Sequence, residues 1–402
     1  MYNYKDFDWC DIFVIDKNNY KEQKDLFFGY KIIDDNGFWL QVKWINNVLN
    51  ISSSFVSPII AIYKYKDYWA ISNSIYFLTQ YIQQLNMPLT IDKEVSELID
   101  SVWYSVNYIQ DKTYYKEITI LPNFINIKIT DGNIEINEIP NTLQSIDLED
   151  SEHIFRKWYN RYSKFLNQLS NDNSIIKIEL SGGRDSRISF VLAYQNNINI
   201  SEIISYKKKH AYRLSQNTFS SDYVISNNIL KKFNKDHLLN IDILTTDKYI
   251  DLPIHPCLLF HYGNTNRINS KLTVKEELNS LGKRRIRDKK VYFLTGNASE
   301  CYSQYNYNNQ FLLGWVRRRT INGALTAKYT GDKIIIMPFL DKDLLSVSCN
   351  DLNLVQCIIY KKFFPYLLEF PFTNGADDYY YFSEDTLKKA DDIIKKWETN
   401  KI

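Results

Sequence analysis

The stretch Ile175-Ile-Lys-Ile-Glu-Leu-Ser-Gly-Gly-Arg-Asp-Ser-Arg187 constrains this chain more than any other part of it. Apolar residues dominate 175–180, as in a strand buried within an α/β sheet. Ser181-Gly182-Gly183 then strip away side-chain bulk, so the backbone can turn sharply and a ligand can approach it closely. From Ser186 on, Ile188, Val191 and Leu192 fall at helical spacing, so the turn is expected to open a helix. A helix start offers unpaired N–H groups and the positive end of the helix dipole, a setting that suits an anion. Ser181 and Ser186 add hydroxyls, and Asp185 adds a carboxylate able to hold magnesium against phosphate oxygens.

The Ser-Gly-Gly-x-Asp-Ser pattern at 181–186 resembles the pyrophosphate-binding loop of the ATP pyrophosphatase superfamily. It lacks the lysine that follows the last glycine in the other common phosphate loop. A loop that grips pyrophosphate as the leaving group suits attack at the α-phosphorus, which yields an adenylated substrate. The resemblance thus implies ATP and Mg2+ as cofactors. Leu180, Ser181, Gly182, Gly183, Asp185 and Ser186 would line the nucleotide site, with Asp185 both catalytic and metal-binding.

Residues upstream read as mostly β. Strand-like runs recur at 11–15, 26–33, 38–44, 59–65 and 68–72, with Lys66-Asp67 as a tight hairpin turn. Helical spacing follows at 75–81 and 92–106, then a hairpin over 124–136 around Asp131-Gly132. This order, with Ala70-Ile-Ser-Asn-Ser74 before a helix and Tyr114-Tyr-Lys-Glu-Ile-Thr-Ile-Leu-Pro-Asn123 after it, is similar to the N-terminal half of asparagine synthetase-like proteins. In that family the glutaminase half uses a cysteine at residue 2 whose freed α-amine is the base. Here residue 2 is Tyr2 and Cys10 lies inside the chain, so the resemblance implies no glutaminase activity.

A second domain is expected from about residue 148. Asp150 or Ser151 caps a helix whose apolar stripe runs Ile154, Trp158, Tyr162, Phe165 and Leu169. After the loop come strands at 200–206 and 237–243, with a helix at 221–233 between them. This rhythm favours a parallel sheet with ligand beyond the carboxyl ends of its strands. Ser205, near the end of the second strand, would flank the adenine. A helix is expected at 266–281, then a strand at 290–295 ending in Gly296-Asn-Ala-Ser-Glu300. In the resembled family this segment is a glycine-rich acidic turn that helps hold magnesium pyrophosphate. The resemblance therefore assigns Gly296 to the cofactor and Glu300 to catalysis and metal, while Asn297 stands where an acid is usual and cannot act as a base. Pro338-Phe-Leu-Asp341 matches a family phrase opening a late helix, with Asp341 read first as its N-cap. The family's later lysine has no counterpart beside Glu369 and Phe370.

Other features exclude more than they suggest. A net charge of +2 gives no global field for nucleic acid, and the basic runs at 207–209, 283–287 and 317–319 read as solvated faces. Five cysteines show no metal-ligand pairing, and the N-terminus has no signal-peptide pattern, so a cytoplasmic chain with no membrane partner is expected. His255 and His261 flank Pro256 at a spacing unlike a helical zinc pair, and with His210 they read as ordinary histidines. Gly263-Asn264-Thr265 and Arg267 are candidates for contacting substrate.

Taken together, the chain is read as α/β. A mostly-β class II glutamine-amidotransferase-like domain over 1–147 precedes a parallel-sheet ATP pyrophosphatase (adenine nucleotide α hydrolase-like) domain over 148–402. The implied reaction adenylates a small-molecule, peptide or glycan carboxylate and passes it to an amine, in a homo-oligomer or beside a pathway partner protein. The alternatives are an adenylase acting on tRNA or in sulfur transfer, and a degenerate nucleotide-binding or assembly protein.

Overall fold

A computed structural model describes residues 8–9, 13–32, 36–54, 60–101, 112–122, 125–139, 146–171, 174–208, 221–244, 291–296, 333–339, 341–349, 351–373 and 379–399. Among these, the residues up to 139 form one compact unit and those from Ile146 onward form another. The chain is mixed α/β, with antiparallel sheets in the first unit and a parallel sheet in the second.

The first unit contains β1 (Asp8–Trp9), β2 (Val14–Asp16), β3 (Leu26–Lys31), β4 (Gly37–Ile45), β5 (Val48–Ser53), β6 (Ala61–Tyr65), β7 (Tyr68–Ser72), α1 (Ile75–Gln84), α2 (Lys93–Ser101), β8 (Ile118–Ile120), β9 (Ile125–Thr130) and β10 (Asn133–Glu138). Strands β1-β3-β4-β5-β9-β10 make one sheet and β2-β7-β6-β8 the other. The hairpins close where sequence permits left-handed backbone: φ is 51° and 63° at Asn46 and Asn47, 54° at Lys66, and 50° at Asp131. Ser74 caps α1, accepting from the Phe77 amide at 3.3 Å, and Ile75, Leu78 and Ile82 pack inward against Ala61 and Ala70. Strand β5 was not expected from the sequence, although its burial alternates strictly.

The second unit contains β11 (Ile146–Asp147), α3 (Glu152–Asn171), β12 (Ile175–Glu179), α4 (Arg184–Gln195), β13 (Ile200–Lys208), α5 (Ser221–Lys232), β14 (Leu239–Leu244), β15 (Val291–Leu294), β16 (Lys333–Ile336), α6 (Lys342–Leu345), β17 (Val347–Ser348), α7 (Leu352–Phe363), β18 (Phe372–Thr373), β19 (Tyr379–Tyr380) and α8 (Glu384–Thr399). The order β14-β13-β12-β15-β16 gives a five-stranded sheet that is parallel throughout. Strand β12 is central because Ile176, Ile178 and the following Leu180 are wholly buried. Helix α4 starts at Arg184, two residues earlier than apolar spacing indicates, because the polar residues 184–186 form its first turn. Ser151 donates its hydroxyl back to the Leu148 carbonyl (2.7 Å) ahead of α3. The helix expected at 266–281 lies outside the described residues.

One ion-pair network fixes the end of β16. Asp341 accepts from the amides of Asp343 (3.0 Å) and Leu344 (3.2 Å), capping α6 as the sequence suggests. Arg161 of α3 reaches both Asp341 and Asp343, and Lys157 lies 3.1 Å from Asp343. Burial alone would push the Arg161 guanidinium down, but Asp341 and Asp343 outweigh it and hold it above its ordinary value. Nearby, Trp158 Nε1 donates to the Pro338 carbonyl at 2.7 Å, so α3 holds this turn at two points. Asp341 is fully buried and Arg161 nearly so. Arg161→Met should therefore strand a buried carboxylate and cost about 3–5 kcal/mol in urea unfolding. Arg161→Met with Asp341→Leu and Asp343→Leu should recover most of that loss.

Candidate functional site

The turn after β12 lies where the sheet reverses its strand order. From β12 the chain runs outward through β13 to β14, whereas β15 and β16 lie on the other side. Crevices that hold ligands in such sheets form at this reversal, beyond the carboxyl ends of the strands. Both expected walls converge there. A Cβ added to Gly296, two residues beyond β15, would run into the Ser186 amide nitrogen and the Asp185 carbonyl carbon. Only glycine lets the exit of β15 lie against the first turn of α4.

The loop amides are not bare, contrary to the sequence expectation. Ser181 N–H donates to Ser186 Oγ at 2.9 Å, and the two serine hydroxyls are 2.9 Å apart. Gly182 N–H donates to Asp222 Oδ1 at 2.9 Å, and Gly183 N–H to Ser181 Oγ at a longer 3.2 Å. Asp222 comes from the first turn of α5, so a carboxylate oxygen stands where a phosphate oxygen could accept. Gly183 is the N-cap of α4 and makes no side-chain cap, which leaves that helix start open to an anion. The donor set of amides, hydroxyls and a helix start therefore fits phosphate.

The remaining predicted residues divide between mouth and support. Asp185 is half-buried in the first turn of α4, and Gln356 of α7 donates to its Oδ1. Leu180 is fully buried, its N–H donating to the Ile204 carbonyl (2.9 Å) and its carbonyl accepting from Ser226 Oγ (3.0 Å). It shapes the loop and presents no side chain to a ligand. Ser205 is likewise fully buried, with its hydroxyl 3.3 Å from Ser226 Oγ under α5. Its side chain points into the sheet–helix layer, so the expected place beside the adenine would fall to its backbone. Glu300, Asn297, Gly263, Asn264, Thr265, Arg267, His210, His255 and His261 lie outside the described residues.

Several residues at the site were missed by sequence reasoning. Arg187 is fully buried on α4, and its Nη2 donates to the Gly182 carbonyl (2.7 Å) and to that of Pro371. Its Nη1 donates to the Phe370 carbonyl at 3.1 Å, and the guanidinium lies 4.3 Å from the Phe372 ring centroid. Burial pushes it down to about 10. Thr373 N–H also donates to the Gly182 carbonyl, at 3.1 Å. Glu179, the last residue of β12, is buried and accepts from Thr295 Oγ1 at 2.6 Å. The available signal was an arginine set among the apolar positions of α4.

Among the described residues, no group of three or more His, Cys, Asp or Glu could hold a metal ion, and no helix is long and apolar enough to cross a membrane. Burial pushes the Cys357 thiol up to about 12, so it stays protonated at neutral pH. Cys10, Cys257 and Cys301 lie outside the described residues.

No family model matches the sequence, and no curated protein does. Among solved structures, a U34-tRNA thiolase from Methanococcus maripaludis, determined with its 4Fe-4S cluster, is similar at 14% identity, covering 62% of this chain and 75% of that one. Its TM-score is 0.27, a likeness that carries no argument about chemistry. The site must therefore be read from its own residues.

Gly296→Ala should force β15 and α4 apart. The variant is expected to melt several degrees lower and to lose pyrophosphate binding, measured by differential scanning calorimetry and isothermal titration; unchanged binding would show that the contact does not shape the loop.

Proposed function

We propose that the second unit binds ATP at 181–186 and transfers its adenylyl group to a substrate carboxylate, releasing pyrophosphate. An amine then displaces AMP from the acyl-adenylate to give an amide. The observation that carries this reading is the Ser-Gly-Gly turn at the strand-order reversal of a parallel sheet, feeding an uncapped helix start.

The residues have distinct tasks in this reading. The first amides of α4 meet the departing pyrophosphate, and Ser181 and Ser186 supply hydroxyl donors, with Ser181 Oγ also holding the Gly183 N–H. Small side chains at 182, 183 and 296 keep the backbone within reach. Asp185 is the carboxylate placed to hold magnesium, which when bound would offset charge on the phosphates. Most of the catalysis is then orientation and preset charge stabilisation, with no covalent enzyme intermediate required. The resemblance to asparagine synthetase-like proteins supports the amide-forming outcome. Asp222 on the Gly182 amide supports a second reading, a protein that keeps the fold but has its loop occupied from within. A tRNA- or sulfur-directed adenylase would use the same loop with a different acceptor.

ATP–pyrophosphate exchange across pools of carboxylates separates these readings. Exchange should appear with one carboxylate class, and Asp185→Ala should lower it by at least about 100-fold while the circular dichroism spectrum is retained. Exchange that survives in Asp185→Ala would refute the assignment, and wild-type protein silent with every carboxylate would favour the occupied loop. Isotope-labelled glutamine given to the purified protein should release no ammonia.

A further inference from the structure

We propose that Arg187 is the positioning residue of the loop, fixing the Gly182–Gly183 peptide in one orientation and setting a positive charge behind the anion site. This rests on the adenylation reading and specifies its ligand as a polyanion, pyrophosphate in preference to a single phosphate.

Geometry carries the argument. A trans peptide is planar, so the Gly182 carbonyl and the Gly183 N–H point in opposite directions. The Gly182 carbonyl accepts from two donors at once, Arg187 Nη2 at 2.7 Å and Thr373 N–H at 3.1 Å. Both its lone pairs are thereby used, and the Gly183 N–H is turned to the opposite side, where Ser181 Oγ accepts it at 3.2 Å. Two adjacent glycines would otherwise let this peptide rotate freely. Arg187 thus supplies the stiffness that Gly182 and Gly183 lack.

The same guanidinium ties the loop to the segment before and within β18 through the carbonyls of Phe370 and Pro371 and through the Phe372 ring. Its acceptors there are neutral carbonyls. Among the described residues Arg187 forms no ion pair, and its Nε donates to nothing. Burying a cation this way is costly, and an apolar side chain would fill a helix position in the core at less cost. The cost is explained if a negatively charged ligand completes the balance. Asp222, whose charge acts on Arg187, holds the opposite face of the loop through the Gly182 amide.

Isothermal titration of wild type, Arg187→Lys and Arg187→Gln with inorganic pyrophosphate and with inorganic phosphate tests this, below the melting temperature of each protein. Wild type should bind pyrophosphate more tightly than phosphate. Arg187→Gln should bind pyrophosphate at least about 10-fold more weakly, Arg187→Lys should fall between, and the gap should narrow as salt rises. A purely structural arginine would lower the melting temperature and leave the dissociation constant unchanged, so wild-type affinity in folded Arg187→Gln overturns the inference alone. Wild type that binds no pyrophosphate overturns the adenylation reading with it. If neither variant folds, the wild-type series decides: equal affinities for phosphate and pyrophosphate would overturn the proposal.

Discussion

A parallel sheet that grows outward from its centre in two directions must leave a gap where the directions part. Here the gap lies beyond the carboxyl ends of the paired strands β12 and β15, and on one side of it backbone rests on backbone. The exit of β15 approaches Asp185 and Ser186 at the start of α4 so closely that glycine is required at Gly296, and Gly182 is crowded by Thr373 and Asp222. That crowding places amides and hydroxyls at the carboxyl end of the sheet, and the rest of the site follows from it.

The support of this crevice comes from far along the chain. Asp222 from α5 holds one loop amide, Gln356 from α7 holds Asp185, and Arg187 gathers carbonyls from the loop and from 370–371. Away from the crevice, Arg161 with Asp341 and Asp343 fixes the end of β16. The two clusters use arginine differently. Arg161 meets carboxylates and is held protonated by them, whereas among the described residues Arg187 meets carbonyls and an aromatic ring.

Local pattern made the centre of the site legible. Strand, small-residue turn and helix follow one another within thirteen residues, and each signal is a short-range property of the sequence. Asp341 was legible for the same reason, since capping involves the next three residues only. Asp222, Gln356 and Arg187 could not be assigned, because their partners lie from tens to nearly two hundred residues away in all but one contact. The facing of Ser205 was not legible, because a polar residue near a strand end can face either layer, and here its side chain faces α5. Strand β5 was passed over although Asn46-Asn47 carries the left-handed pair a tight hairpin needs. Helix α8 was passed over as well, and there the pattern was present: Ala390, Ile393 and Trp397 recur along one side of it.

Gly296 also has a mechanical meaning. Because backbone rests on backbone there, no rotamer change can absorb a displacement between the exit of β15 and the start of α4. Any shift in the chain leaving β15 is passed directly to the peptide units that open α4, much as one gear tooth drives the next. The two walls of the crevice therefore act as a single jaw, and a molecule gripping one of them is felt at the other without any intervening side chain.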